Sequence, residues 1–293
     1  MRKILQKQKF QVYYLLFPAI VTLLFTLAYP IKEIIRYSTY VWSFGRPAEY
    51  MKYVGLRNYV DIFTPGSSFY HSLFLTLGYT IVSIIFQTIL GLALATLFNK
   101  KFPGQSALLS ILIIPTILMP VMTSMMWRLY FYPNGVVDYL TGLLGIKADF
   151  YSAKLALPAI IFIQIWQWTP FYVTSIISGM RTIPSELYEA ANVDGASSWQ
   201  KFRKITFPML KPVLGVCITI RAMNLIREFD SVYIIYGGGP GTSTETLGLS
   251  IYKTMFKNQQ VGMAAALSLV LILLAVYCCL FLIRVFKNNE YDI

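Results

Sequence analysis

The sequence predicts an all-α, polytopic membrane protein with six transmembrane helices. Of its 293 residues, 56% are hydrophobic and only 13% are charged, whereas a soluble domain carries about 25% charged residues. Six apolar runs each reach the roughly 20 residues that a bilayer-spanning helix needs. Prolines such as Pro115 and Pro170 lie inside these runs, which membrane helices accept when neighbouring helices satisfy the freed backbone groups. The runs lie at about 12–37, 71–98, 106–131, 154–180, 209–235 and 261–283.

The first run follows a short basic segment that contains no acidic residue. A basic start before an apolar stretch also describes a secretory signal peptide. The run is too long for a signal peptide, and no small-x-small cleavage site follows it, so we expect a retained first span. Because no internal repeat or second soluble region is recognisable, residues 1–293 are predicted to form a single transmembrane domain.

The distribution of Lys and Arg predicts the orientation in the membrane. If the N-terminus is cytosolic, thirteen of these residues fall in cytosolic segments and seven in external ones. We therefore expect both termini, and the polar segment 184–212, to lie in the cytosol. The net charge of +12 is then explained by basic cytosolic loops rather than by nucleic-acid binding.

Several connecting segments carry recognisable local signals. Residues 38–70 mix aromatic and charged side chains and are expected to form a short external covering element. His71 stands where this segment meets the second run, which favours an interfacial structural role. In the third run, Pro115 and Pro120 flank a short segment and are expected to bend the span. Gly237–Gly241 lacks the adjacent Lys of a phosphate-binding loop and predicts a tight external turn.

The polar segment predicts a helix–turn–helix hairpin over residues 184–208. A first helix follows Pro184 and stops at Asp194-Gly195, because glycine tolerates the left-handed backbone of a helix end. Ser197 and Gln200 have the spacing of a capping box, which starts a second short helix. Phe207-Pro208 is expected to end that helix, since the residue before a proline disfavours helical geometry.

At this point the chain resembles a known family. Glu189-Ala190-Ala191, followed after three residues by Gly195 and later by Ile205 and Pro208, resembles the EAA loop of binding-protein-dependent ABC importer permeases. The longer string LYEAANVDGASSWQKFRKITFPMLKP is similar to the maltose-type and glycerol-phosphate-type carbohydrate permeases. FDSVYIIYGGGPGTSTETL, Phe229–Leu247, resembles a second stretch of sugar permeases. An amphipathic cytosolic loop lying on the membrane is the alternative interpretation of the hairpin.

The resemblance implies the type I ABC importer permease fold and a bacterial or archaeal cytoplasmic membrane location. It implies three kinds of partner besides membrane lipid: a second homologous permease subunit, often in a heterodimer, two cytosolic ATPase subunits and an extracytoplasmic solute-binding protein. ATP and Mg would be bound by the ATPase, so no cofactor is expected in this chain. The residues implied in ATPase coupling are Glu186, Glu189, Ala190, Ala191, Asp194, Gly195, Trp199 and Phe202.

The sequence contains few residues suited to enzymatic catalysis or metal binding. With one His and no paired Cys or HExxH pattern, neither a metal site nor a catalytic triad is predicted. The cysteines Cys217, Cys278 and Cys279 all fall in apolar runs, which is typical of free, buried thiols. We therefore predict neither catalytic nor metal-binding residues.

Polar residues within the apolar runs are the candidates for a solute path, because ionisable groups at membrane depth need a partner or a wet cavity. Asn224, Arg227 and Glu228 have the i, i+3, i+4 spacing of one helical face. Two interpretations stay open: Arg227 pairs with Glu228 or Asp230, or with charges on a partner subunit, and fixes the helix, or this face offers groups to sugar hydroxyls. The predicted substrate-path residues are Gln164, Gln167, Asn224, Arg227, Glu228 and Tyr233.

Two other functional classes would use the same charges. A stand-alone secondary transporter or channel would couple an ion through Arg227, Glu228 and Asp230. A membrane-embedded enzyme would use Glu228 and Asp230 as acid and base. Which sugar an importer would carry stays open, since Arg221 and Arg227 favour an acidic solute whereas the neighbouring carboxylates could cancel that preference.

Overall fold

The computed structural model describes residues 2–100, 102–146 and 148–287, with side chains from Leu15 to Phe286. The all-α prediction is confirmed: the one sheet among these residues is a pair of two-residue strands. The chain packs as two compact units, one of residues up to Ser67 with Ile251–Val270, the other of Ser68–Ser250 with the residues from Leu271. The prediction of a single domain over 1–293 stays a prediction.

The first unit is built on a long helix and a small pair of antiparallel strands. Its elements are α1 Arg2–Ser38, β1 Tyr40–Val41, a 3-10 turn Ala48–Tyr50, β2 Lys52–Tyr53 and α2 Arg57–Phe63, with the first part of α13 Val261–Lys287. The side-chain amide of Asn58 connects α2 to the β1–β2 pair: it donates to the carbonyls of Ser38 and Tyr40, at 2.7 and 3.0 Å. At Gly262 an added Cβ would lie 1.8 Å from the Tyr40 carbonyl oxygen. Only glycine therefore allows α13 to approach strand β1 this closely.

The second unit contains the other helices. They are α3 Ser68–Phe98, α4 Gln105–Ile117, α5 Pro120–Phe131, α6 Val136–Leu143, α7 Ala156–Arg181, α8 Ser185–Val193, α9 Ser198–Lys201, α10 Phe207–Ile226, α11 Asp230–Ile235 and most of α12 Leu247–Tyr252. Its core is formed where α3, α7 and α10 meet. Gly91 of α3 lies against Tyr172, whose Cβ would be 2.5 Å from an added Cβ. Small residues allow membrane helices to pack this closely.

Among the described residues, five helices are long and apolar enough to cross a membrane, or six if the bent pair α4–α5 is one span. That pair bends by 95° between Ile117 and Pro120, which confirms the predicted bend in the third run. The other candidate spans are Leu15–Ser38, Ser68–Phe98, Ala156–Arg181, Ser198–Ile226 and Val261–Phe286.

The fifth span differs from its predicted bounds at both ends. The expected helix end at Phe207-Pro208 is wrong, because the helix runs on from Ser198 to Ile226. A π-helical turn at Phe202–Thr206 directly precedes Pro208, and such a local π adjustment allows a membrane helix to continue through a residue that lacks an N–H. The helix ends at Ile226 rather than near 235, and a separate helix, α11, begins at Asp230.

Candidate solute pocket and coupling hairpin

A stripe of polar side chains runs along the buried face of α3. Hydroxyl groups recur at helical spacing and lead to an amide, Gln87, that is fully buried. This periodicity is visible in the sequence as a polar face on an otherwise apolar span, but the sequence interpretation overlooked it. The buried polar residues of the stripe are Ser72, Thr76, Thr80, Ser83 and Gln87.

The end of this stripe meets a buried cation, Arg221 of α10, which is 1% exposed. Its Nε donates to Oε1 of Gln87 at 3.1 Å, and its Nη2 donates to Oε1 of Gln164 at 3.0 Å. The guanidinium carbon lies 4.3 Å from the centre of the Trp168 ring. A buried charge is costly unless it is hydrogen-bonded, and a ring face attracts a cation. Two amides and one indole therefore hold this charge in place and connect α3, α7 and α10.

The hydrogen-bond network continues towards the non-helical residues 227–229, which separate α10 from α11. The amide of Gln164 donates to Oγ of Ser231 at 3.1 Å. The hydroxyl and backbone N–H of Ser231 both donate to Oε1 of Glu228, at 2.8 and 3.1 Å. The carboxylate thus accepts an N–H in the first turn of α11, where a helix favours negative charge. Hydrogen bonds therefore link the buried arginine to the carboxylate beside the helix break.

A pocket of about 410 Å³ opens beside this network. Of the six predicted substrate-path residues, four lie on its wall and are brought together by the fold. The complete lining is Pro120, Gln164, Trp168, Arg221, Asn224, Arg227, Glu228, Phe229 and Asp230.

Two predicted residues lie outside this pocket. Gln167 is buried and donates to the Leu118 carbonyl at 3.1 Å and to Oγ1 of Thr123 at 3.3 Å, so it satisfies the irregular backbone between α4 and α5. Tyr233 stacks on Phe229 with ring centres 5.0 Å apart and is not part of the lining. The substrate-path assignment of both residues is therefore not supported by their positions.

Of the two interpretations left open for Arg227, an ion pair with Glu228 or Asp230 is not formed among the described residues, whereas pairing with charges on a partner subunit stays a prediction. Arg227 instead donates from Nε to the Met223 carbonyl at 3.0 Å and from Nη2 to Oδ1 of Asn224 at 3.2 Å. The helix ends before Glu228, so the two charges do not share a continuous helical face. They share the pocket instead.

The hairpin forms as predicted in its first half. α8 ends at Val193 with Asp194 as its C-cap residue, and Gly195 has a φ of +71°. The capping box is present: the Ser197 N–H donates to Oε1 of Gln200 at 2.7 Å, and the Gln200 N–H donates to Oγ of Ser197 at 3.3 Å. The hydroxyls of Tyr188 and Thr206 lie 2.8 Å apart and connect the two arms.

The residues implied in ATPase coupling lie mainly at the surface. Trp199 is 68% exposed although its ring stacks on Phe202. Phe202 and Ala191 are half-buried. The exposed members are Glu186, Glu189, Ala190, Asp194, Gly195 and Trp199. An indole and three acidic side chains are therefore exposed along the hairpin.

The remaining sequence signals have structural positions. Gly237, Gly238 and Gly241 all have positive φ and form the predicted tight turn. The Nε2 of His71 lies 3.0 Å from the Thr242 carbonyl oxygen just beyond that turn. Cys217 is buried, and the other two cysteines are half-buried free thiols.

Known proteins resemble this chain along most of its length. The family model described as binding-protein-dependent transport system inner membrane component matches residues 87–287. The trehalose/maltose transport system permease protein MalF of Thermococcus litoralis is 34% identical over 220 residues, which cover 74% of each chain. The sulfoquinovosyl glycerol transport system permease protein SmoG of Agrobacterium fabrum is 32% identical over 281 residues, covering 94% of this chain and 90% of that protein.

A solved structure shares the fold. A chain in the crystal structure of a bacterial alginate ABC transporter, in complex with an alginate pentasaccharide-bound periplasmic protein, superposes with a TM-score of 0.83 at 22% identity. The superposition covers 97% of this chain and 96% of that one. These matches favour a transport system that works with a binding protein over a stand-alone secondary transporter. The chain belongs to the family of inner membrane components of binding-protein-dependent transport systems.

Proposed function

We propose that this chain is the permease subunit of an ATP-driven importer, which carries a sugar, oligosaccharide or polyol delivered by an external solute-binding protein. The observation that carries the proposal is the pocket beside the break between α10 and α11, lined by amide, guanidinium and carboxylate groups that suit hydroxyls. Relatives named for trehalose/maltose and sulfoquinovosyl glycerol transport support the carbohydrate class.

The proposed assembly contains a second homologous permease subunit, two cytosolic ATPase subunits and the binding protein. ATP and Mg are bound by the ATPases, and this chain is a non-catalytic subunit. Both termini and the hairpin face the cytosol, as the distribution of Lys and Arg favours.

The continuous helix from Ser198 to Ile226 supports a lever mechanism. At 1.5 Å per residue, these 29 residues extend over about 43 Å. One end carries the exposed Trp199, and the other carries Arg221 and Asn224 at the pocket. An ATPase that moves the hairpin would therefore move one wall of the pocket. Alternating access needs only two packings of the spans, with the ATPase biasing their populations.

The experiment compares ATP hydrolysis by the reconstituted complex with and without solute-loaded binding protein. In Glu189→Lys and Gly195→Trp we expect the chain to insert normally but hydrolysis to stay at its unstimulated rate. Glu49→Lys, the same charge reversal at an exposed turn of the other unit, is the matched control and should keep stimulation. Normal stimulation in both hairpin variants would refute the lever.

The transported class is tested separately by ATP-dependent uptake into proteoliposomes from a mixture of sugars, polyols, amino acids and peptides. Accumulation of a carbohydrate or polyol is expected. Accumulation of an amino acid or peptide instead would refute the carbohydrate assignment while leaving the family membership intact.

A further inference from the structure

We propose that helix α2 lies on the membrane surface, where an exposed apolar stripe contacts lipid acyl chains and a neighbouring charged stripe faces water. The apolar stripe consists of Leu56, Val60 and Phe63. In the proposed orientation this is the external surface of the membrane. The contact requires a chain that spans a membrane but no particular solute, so it goes beyond the proposed function.

Two span ends within the first unit mark the membrane boundary. The candidate span Leu15–Ser38 ends at its last residue, and the candidate span Val261–Phe286 begins close by. The Val261 N–H donates to the carbonyl of Trp42 at 2.9 Å, four residues after the first span has ended. Both helices therefore reach the edge of the apolar layer at the same place.

Helix α2 is bonded to this edge. The side-chain amide of Asn58 donates to the Ser38 carbonyl at 2.7 Å, and the hydroxyl of Tyr59 donates to Oγ of Ser38 at 2.8 Å. Asn58 and Ile62 are each 3% exposed and form the face of α2 that packs on the chain. The depth of α2 in the membrane is therefore that of the end of the first span.

The outer surface of α2 is divided between apolar and charged side chains. Leu56, Val60 and Phe63 have the i, i+4, i+7 spacing of one helical face, and the first two are 69% and 64% exposed. About 100° further round the helix lie Arg57 and Asp61. Their side chains are 74% and 50% exposed, with Nε and Oδ2 4.0 Å apart. Two adjoining stripes of opposite polarity therefore point away from the protein.

A lipid surface suits this division better than a protein partner does. An interfacial helix places its apolar face among acyl chains and keeps its charges in water. Ile31 and Ile35 of α1 are exposed, so the apolar surface that this span offers to lipid extends to within one turn of Ser38. The Tyr53 ring is exposed as well, and tyrosine favours the membrane–water boundary.

The side chains of the stripe also argue against a second membrane helix as the occupant. Helices that pack in a membrane approach each other through small residues such as Gly, Ala and Ser. The stripe instead presents Leu, Val and Phe side chains. Acyl chains adapt to such a surface, because they need no matching backbone approach.

The first test places a nitroxide label at four positions around α2, one at a time, in the importer complex reconstituted in lipid bilayers. Collisions of each label with oxygen, which concentrates in lipid, and with a water-soluble nickel chelate are measured by EPR power saturation. The chain's own thiols are removed by Cys217→Ala, Cys278→Ala and Cys279→Ala. The labelled variants are Leu56→Cys, Arg57→Cys, Val60→Cys and Asp61→Cys.

We expect oxygen collisions to outnumber nickel collisions at positions 56 and 60, and the order to reverse at 57 and 61. Each charged position adjoins an apolar one in the chain, so it is a control matched for place along the helix. Strong nickel access at all four positions would put the stripe in water. Weak access of both reagents at 56 and 60 would put it against protein. Either result would overturn the lipid contact and leave the proposed function untouched.

A second measurement keeps the cysteines in place. Val60→Trp adds an indole on the apolar stripe, and Asp61→Trp adds one on the charged stripe. Phospholipids brominated in their acyl chains should quench the added fluorescence more strongly in Val60→Trp. Equal quenching in the two variants would overturn the proposal.

Discussion

The hairpin and the Arg221 network both concentrate polar residues, but they do so in opposite surroundings. Hydrogen bonds of the hairpin join residues at most 18 positions apart, and its side chains are mainly exposed. Arg221 instead bonds Gln164 and Gln87, which are 57 and 134 positions away, and all three are buried. The hairpin is therefore determined by interactions between nearby residues, and substitutions in it should change the free energy of unfolding little. The network instead depends on how three helices pack.

The comparison predicts that substitutions in the helix core have the largest effect on stability. Gly91→Leu would place a Cβ 2.5 Å from that of Tyr172 and should lower the free energy of unfolding by about 3 kcal/mol or more. Unfolding by SDS in mixed micelles measures this. Gly78→Leu is the control on the same helix, because nothing lies within 4 Å of its added Cβ. Equal stability of the two variants would show that α3 and α7 do not pack as described.

A smaller effect is expected when the buried network loses one member. Gln87→Leu leaves Nε of Arg221 without its acceptor and should cost about 1–3 kcal/mol in the same unfolding assay. Gln87→Glu restores an acceptor and should recover part of that loss. If Gln87→Leu were as stable as the parent, the hydrogen bond to Arg221 would not contribute to folding.

The smallest effect is expected in the hairpin. Ser197→Ala removes the capping box and should destabilise the start of α9 by about 1 kcal/mol, equivalent to roughly fivefold faster amide hydrogen exchange over residues 198–206. Global unfolding should hardly change, because the hairpin can open locally. The neighbouring Ser198→Ala is the control, since no cap bond uses its side chain. Faster exchange in both variants alike would contradict a specific role of the cap.

Features that depend on neighbouring residues, as in the hairpin, could be predicted from the sequence more readily than features that depend on helix packing. The break at Gly195, the capping box at Ser197 and the bend near Pro120 were predictable, because each depends on backbone preferences of a few adjacent residues. The continuation of the helix through Pro208 was not, since it depends on a π turn that shifts the hydrogen-bond pattern before the proline.

The pocket was predictable in part. Asn224, Arg227 and Glu228 were recognised because ionisable or amide groups inside an apolar run need a polar partner or a water-filled cavity. The same argument assigned Gln167 to the solute path, although its amide instead satisfies backbone near the bend of the third span. A buried amide signals a polar partner, but sequence spacing alone does not say whether that partner is solute or backbone.

By itself the sequence determined the membrane class, most span positions and the hairpin with its family resemblance, because hydropathy, capping and turn preferences act over short distances. The tertiary structure decided that Arg221 is held by Gln87, Gln164 and Trp168, and it decided which side chains line the pocket. These features depend on contacts between helices far apart in the chain, and a buried charge takes its role from the groups that surround it.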